Sequence, residues 1–167
     1  MIATLALAVE LLAAALAPAV RPHGARVLVP ADALRVMDGD TAEIHWSAVD
    51  VETVRVLGID TAELFGSKGR HALRNRPPMT ARGAEARGFG RGAFALDRRV
   101  ELLRSANLDR YRRTLGYFFL DGRNYSVLVI EAGLSRETIT HYGDNGLPAE
   151  ADEVRKARRR EAPTGRR

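Results

Sequence analysis

An Asp-Gly step, Asp38-Gly39, stands between two runs of β-forming residues, 34–37 and 41–46, and constrains this chain more than any other feature. Such a step between β-forming runs predicts an antiparallel hairpin. Residues 53–58 alternate in the same way and add a third strand, so the first part of the chain reads as a β-meander. Acidic residues gather at its turns. Asp38 and Asp40 occupy the first turn, Asp60 and Glu63 follow the third strand, and Arg55 lies within that strand. Asp40, Asp60 and Glu63 are hard oxygen donors of the kind that hold Ca²⁺ or Mg²⁺, and Arg55 offers a planar, permanently charged fork matched to phosphate. Neighbouring strands can bring these groups to one end of a sheet, and a cation beside a guanidinium points to phosphoryl chemistry.

Residues 65–83 are rich in Gly, Pro and Arg without a period and read as a long surface loop, of a length that usually carries function. A helix is expected over 84–96, weakened by Gly88, Gly90 and Gly92, each costing about 1 kcal/mol relative to Ala. Strands are expected over 99–103 and 114–120, the second closed by a turn at Asp121-Gly122. Ser126 is placed to cap a short apolar helix over 127–132, which Gly133 ends. Pro148 opens a last helix over 149–162, acidic in its first turn and basic in its last, as the helix dipole favours. The expected order is β-β-β-α-β-β-α-α.

Upstream, residues 1–20 form an apolar segment whose centre, 5–16, reads as the hydrophobic region of a secretory signal, although Glu10 interrupts it and no Lys or Arg precedes it. Glu10 also argues against a spanning anchor. A signal peptide there would make the protein secreted or periplasmic; otherwise it is expected to be cytoplasmic. Residues 21–32 read as a connector with a short strand over 27–29, 33–162 as one domain, and 163–167 as a basic disordered tail.

The 167 residues suffice for one core. One Trp, four Tyr and five Phe are too few for a broad base-stacking platform, and the absence of Cys excludes disulfides, thiolate ligands and cysteine nucleophiles. Charge is unevenly spread: residues 1–63 carry four Arg against nine Asp and Glu, whereas 64–167 carry 22 Lys and Arg against 12 Asp and Glu. Packed together, the acidic part would concentrate a divalent cation while the basic part attracts a polyanion such as nucleic acid. His23, His45, His71 and His141 show no metal-ligand spacing and read as surface or loop residues. Trp46 and Phe94 read as core.

Four short motifs occur in order: Asp-Gly-Asp-Thr at 38–41, Arg-(x)4-Asp-Thr-x-Glu at 55–63, Asp-x-Tyr-x-Arg at 109–113 ahead of Leu115 and Tyr117, and Gly-Leu-Ser at 133–135. In these the chain resembles the staphylococcal nuclease (thermonuclease) family, over about residues 34–156. The resemblance implies a mainly β, α+β fold: a five-stranded OB-fold β-barrel with about three helices. It implies that Asp40 and Asp60 give carboxylate oxygens to Ca²⁺ and Thr61 a backbone carbonyl. Arg55 and Arg113 match the family's catalytic arginines, and Glu63 matches the glutamate that acts on the attacking water. Arg110 and Tyr111 match residues near the phosphate. Tyr142 is a candidate for base stacking, one place from the family's offsets, where Ile139 and His141 fall.

The implied activity is Ca²⁺-dependent hydrolysis of phosphodiester bonds in DNA, with RNA as a second substrate, showing little sequence preference and leaving 3′-phosphates. The expected protein is a monomer without stable membrane association. Departures from the family pattern are Ala62 for a proline, Arg112 for a glycine, Ser126 for an asparagine, and the loop over 65–83. The main alternative is a non-catalytic OB-fold module that binds nucleic acid or protein, and a weaker one is an interaction protein using the basic tail. None of the five central side chains is replaced, which favours the enzyme.

Overall fold

The computed structural model describes residues 21–65, 79–94 and 98–161. The leader over 1–20, most of the loop over 65–83, the end of the expected helix at Ala95 and Leu96, and the tail over 163–167 lie outside the described residues. Strands β1 (Arg26–Val29), β2 (Leu34–Val36), β3 (Thr41–His45), β4 (Val51–Val56) and β5 (Ile59–Thr61) precede helix α1 (Ala81–Ala93). Then come β6 (Val100–Leu108), β7 (Thr114–Leu120), β8 (Arg123–Asn124), α2 (Tyr125–Glu131), β9 (Ser135–Glu137), α3 (Ile139–Tyr142) and α4 (Pro148–Glu161).

The main sheet has the order β1-β6-β7-β4-β3-β2, with β8 added to β7, while β5 and β9 form a separate antiparallel pair. Neighbours in the main sheet are antiparallel except β4 and β7, which run parallel. Its outermost strands, β1 and β2, are consecutive in the chain, joined by Pro30 and one 3-10 turn, Ala31–Ala33. The five Cα steps from Val29 to Leu34 reach at most about 18 Å, whereas the outer strands of a flat six-stranded sheet stand about 24 Å apart. The sheet therefore curls, and a register shift in β6 between Arg104 and Leu108 adds to the bend. The result is an α+β fold on a curled mixed sheet.

Ile44, Val54, Leu102, Phe118 and Leu120 are fully buried in the core, and Phe94 joins them from the end of α1. Trp46 packs against this core and donates its indole N–H to Glu52 at 2.9 Å. Helix α4 is charged along most of its length, yet Ala151, Val154 and Ala157 make a buried stripe at i, i+3 and i+6. Helix α2 begins earlier than expected, and its cap is Asn124, whose side chain accepts the Ser126 N–H at 3.0 Å. Ser126 is instead fully buried, and its hydroxyl donates to the Leu57 carbonyl at 2.7 Å. The third strand starts at Val51 and stops at Val56, because Gly58 turns the chain with φ 83°.

Helix α1 starts three residues earlier than expected, inside what reads as loop, because Thr80 caps it by accepting the Gly83 N–H at 3.0 Å. Its buried face is Gly83, Ala86 and Gly90, a stripe of small residues that lets the helix lie close to its neighbours. A Cβ at Gly90 would come within 2.9 Å of the Tyr125 hydroxyl, and one at Gly83 would collide with the Glu63 carbonyl oxygen. Gly88 and Gly92 face open space. Gly88→Ala and Gly92→Ala should each therefore stabilise the protein by about 0.5–1 kcal/mol, and Gly83→Ala should destabilise it. Denaturant melts of the three variants check the opposite signs.

Candidate functional site

The turn between β2 and β3 is held by contact. Gly39 has no left-handed φ; it is glycine because a Cβ there would lie 2.7 Å from both the Ala86 Cβ and the Thr61 Oγ1. Its carbonyl accepts the buried Tyr125 hydroxyl at 2.9 Å. Burial and the nearby Asp40 and Asp38 charges push the pKa of that hydroxyl up, so it stays a donor. The pinned turn sets the next residue, Asp40, which is only 7% exposed.

Asp40 is the hub of the site. Its Oδ2 accepts the Thr61 N–H at 2.7 Å and the Thr61 hydroxyl at 3.0 Å, and its Oδ1 accepts the Thr41 hydroxyl at 3.1 Å and pairs with the Arg55 Nη1. Arg55 sits opposite Thr41 in the β3–β4 register, and its Nη2 reaches Asp60 Oδ1 at 2.6 Å. One guanidinium thus bridges the two carboxylates. Burial alone would lower the Arg55 pKa, but Asp40, Asp60 and Asp38 outweigh it and hold the group above its ordinary value. Asp60 is fixed from behind by Ser135, whose hydroxyl oxygen accepts the Asp60 N–H at 2.9 Å across the β5–β9 pair.

Arg113 arrives through the parallel β4–β7 ladder. Leu115 is the register partner of Arg55, and Arg113 lies two residues earlier, on the same side of the sheet. Asp109 organises the approach: its Oδ1 accepts the N–H groups of Tyr111 and Arg113 at 2.9 and 2.8 Å, and its Oδ2 accepts the Arg113 Nε–H at 2.7 Å. Burial opposes the Asp109 charge, yet these Arg113 contacts keep its pKa below the ordinary value. Arg112, where the resembled family has glycine, adopts φ 64°, a left-handed conformation that costs a side-chain-bearing residue about 1–2 kcal/mol.

Asp38, Asp40, Thr41, Arg55, Asp60, Glu63, Arg110, Tyr111 and Arg113 line one cleft of about 770 Å³. Its residues come from the β2–β3 turn, the start of β3, β4, β5 and its following loop, and the loop before β7. Glu63 is exposed at its edge, and its carbonyl accepts the Thr80 hydroxyl at 2.6 Å, which ties it to the start of α1. Thr61 lies buried behind Asp40 as its hydrogen-bond donor. Tyr142 does not line this cleft; it borders an adjoining pocket of about 520 Å³ that shares Arg55, Asp60, Arg110, Tyr111 and Arg113. Tyr111 and Tyr142 are 63% and 72% exposed, and the Arg110 and Arg113 guanidiniums lie 4.7 and 5.5 Å from the Tyr111 ring centre. None of the described histidines lines either space.

The residues fit a hard divalent cation. Four carboxylates line the cleft against three guanidiniums, and one of those, Arg113, is engaged by Asp109. Among the described residues no three His, Asp or Glu side chains form a ready ligand cage. Two carboxylates supplemented by backbone and water oxygens is a set that Ca²⁺ accepts. The sequence motifs located Asp40, Arg55, Asp60, Glu63 and Arg113, and the motif at 109–113 also contains Asp109, whose support of Arg113 is local at i, i+4. The supporting roles of Ser135, Thr80 and Tyr125 carry no local signal, since each acts on a residue brought near by folding.

Asp38 records the excess of negative charge. Its carboxyl is pushed up to about 6, first by burial and then by the neighbouring Asp40 charge. The folded chain therefore keeps a proton that the unfolded chain loses near 3.8, so this group's contribution is full below pH 3.8 and disappears as pH rises through about 6. In chelator, Asp38→Asn should stabilise the protein by about 1–2 kcal/mol above pH ~7, after allowance for screening, and by almost nothing near pH ~3. Denaturant melts at the two pH values check the sign.

Compared with protein-family models and with curated proteins, the chain matches none, so the functional reading stands on its motifs and on this geometry.

Proposed function

We propose that the protein is a Ca²⁺-dependent nuclease that hydrolyses phosphodiester bonds of DNA, and of RNA as a second substrate. The observation that carries this reading is the convergence of Asp40, Asp60, Glu63, Arg55 and Arg113 on one cleft. The topology is in keeping with it. If β1 and β2 are counted as one bent strand, the sheet order is compatible with that of a five-stranded OB barrel.

A phosphodiester resists water because its charge repels nucleophiles, and more charge gathers on the phosphoryl oxygens during displacement. Asp40 and Asp60, with the Thr61 carbonyl, would hold the ion once Arg55 gives up the carboxylate oxygens it now pairs with, and the ion would supply positive charge at a phosphoryl oxygen when bound. Arg113, aligned by Asp109 through its Nε, makes a long 3.5 Å contact from Nη1 to the Thr41 hydroxyl and keeps further Nη donors for a second oxygen. Arg55 spends both Nη groups on carboxylates, so to grip phosphate it uses Nε or releases one of them. Glu63, at the cleft edge, is placed to orient a water or to accept its proton. Tyr111 and Tyr142 offer exposed faces on which a base can stack. The apolar segment 1–20 makes export part of the reading, and sequencing the mature N-terminus tests it.

Purified protein should degrade plasmid and denatured DNA in Ca²⁺ and leave both intact in chelator. Degradation that ignores the chelator would reject the metal requirement, and intact DNA in both conditions would favour the binding module. Arg113→Lys keeps the charge but loses the paired donor geometry, so kcat/KM should fall on the order of 100-fold or more with the melting curve little changed. A rate near that of the parent protein overturns its assignment.

A further inference from the structure

The wall behind Tyr142 is thin. Within residues 137–142, Thr138, Ile139 and Tyr142 border the pocket beside the cleft, whereas Glu137 and Thr140 border a separate depression of about 310 Å³. The rest of that depression is Arg155, Arg158 and Arg159 of α4. A single short segment therefore has the tyrosine side of the cleft on one flank and three guanidiniums on the other. At i, i+3 and i+4 the arginines share one helix face, with neighbouring Cβ atoms about 5–6 Å apart.

These side chains are ordered by pairs that do not exhaust them. Arg158 Nη1 donates to Glu137 Oε1 at 2.7 Å, and Arg155 Nη1 to Asp152 Oδ1 at 2.7 Å. Each guanidinium carries five N–H donors, so further donors remain on both. The Glu137 side chain is 2% exposed and that of Arg158 is 63% exposed, so the carboxylate is inward and the cation outward. Thr140 also donates to Glu137 at 2.7 Å, which keeps that carboxylate turned to the protein. Exposed Lys156 adjoins the group. The depression thus presents three guanidiniums against the sequestered Glu137, with the exposed Asp152 paired to Arg155 at its margin, an excess of positive charge that complements closely spaced phosphates and not an apolar or basic partner.

We propose that Arg155, Arg158 and Arg159 form a distal phosphate track, taking the backbone of a nucleic-acid strand as it leaves the cleft over Tyr142. The strand's path rests on the nuclease reading, but its binding does not require cutting. The track makes affinity depend on strand length: a fragment that fills only the cleft cannot reach it, and a longer strand gains contacts with α4.

Fluorescence anisotropy in chelator, with labelled oligothymidylates of about 4 and about 16 nucleotides, tests this. The double variant Arg155→Gln/Arg159→Gln leaves Arg158 on Glu137. It should bind the long strand about tenfold more weakly, leave the short one unchanged, and flatten the slope of log affinity against log salt by about 1.4, two contacts at about 0.7 each. Arg155→Lys/Arg159→Lys should retain the slope. Equal weakening at both lengths, or an unchanged slope, overturns the track. Cleavage by the parent protein in Ca²⁺ is scored separately. Length-dependent binding lost in the Gln variant but without cleavage supports the track while rejecting the nuclease, and cleavage without any effect of the variant rejects the track alone.

Discussion

The buried carboxylate of Asp40 is the interaction on which the rest of the site depends. A charge at 7% exposure is tolerated only if its lone pairs are filled, and Asp40 fills them with Thr41, both donors of Thr61, and Arg55. Those partners come from three strands. Satisfying one anion therefore fixes the β2–β3 turn, the outward reach of Arg55 and the path of β5 together. The same economy of contacts gives Arg55 a second carboxylate, Asp60, and draws the candidate ligands to within one guanidinium's span. Four carboxylates crowd a cleft with too few cations, which is a cost to the fold and an asset to a site that takes an ion.

A second buried pair secures the sheet away from the cleft. Arg104 on β6 donates through Nε and Nη2 to both oxygens of Glu52 on β4, each at 2.7 Å, while Thr114 on the intervening β7 donates to Glu52 at 2.9 Å. Burial opposes the Glu52 charge, and Arg104, Trp46 and Thr114 together hold its pKa below the ordinary value. Such a pair adds little net stability over apolar packing, but it is costly to break and it fixes which strands lie together. The parallel β4–β7 ladder that carries Arg113 to Arg55 runs through these same strands. Structure far from the cleft thus governs the spacing within it.

Two of the chain's departures from the pattern of the family it resembles have physical readings. Arg112 takes a left-handed conformation that glycine would adopt without strain, and Asp109 compensates by anchoring the amides on either side of it. Ser126 gives up the capping role to Asn124 and uses its hydroxyl to fasten α2 to Leu57 instead. The Ser126 hydroxyl finds its partner 69 residues away, so that role could not be read from neighbouring residues, whereas the Asp109 anchors beside Arg112 are local. The glycines of α1 differ for a related reason: Gly88 and Gly92 face open space, whereas Gly83 and Gly90 permit contacts that only the assembled fold supplies.

What the sequence determined by itself is local and chemical. Alternating runs around Asp38-Gly39 specify the meander, the motifs at 38–41, 55–63 and 109–113 name the charged groups, and the polarity of 148–161 sets the amphipathic last helix. Spacing along a strand fixes such features because side-chain direction repeats every second residue. The tertiary structure alone decided which distant groups meet: Thr61 and Tyr125 at the first turn, Ser135 on Asp60, and the arginines of α4 behind Tyr142. Those encounters follow from the curling of the sheet, imposed by the few residues between β1 and β2, and from the satisfaction of buried polar groups, both of which are properties of the whole chain.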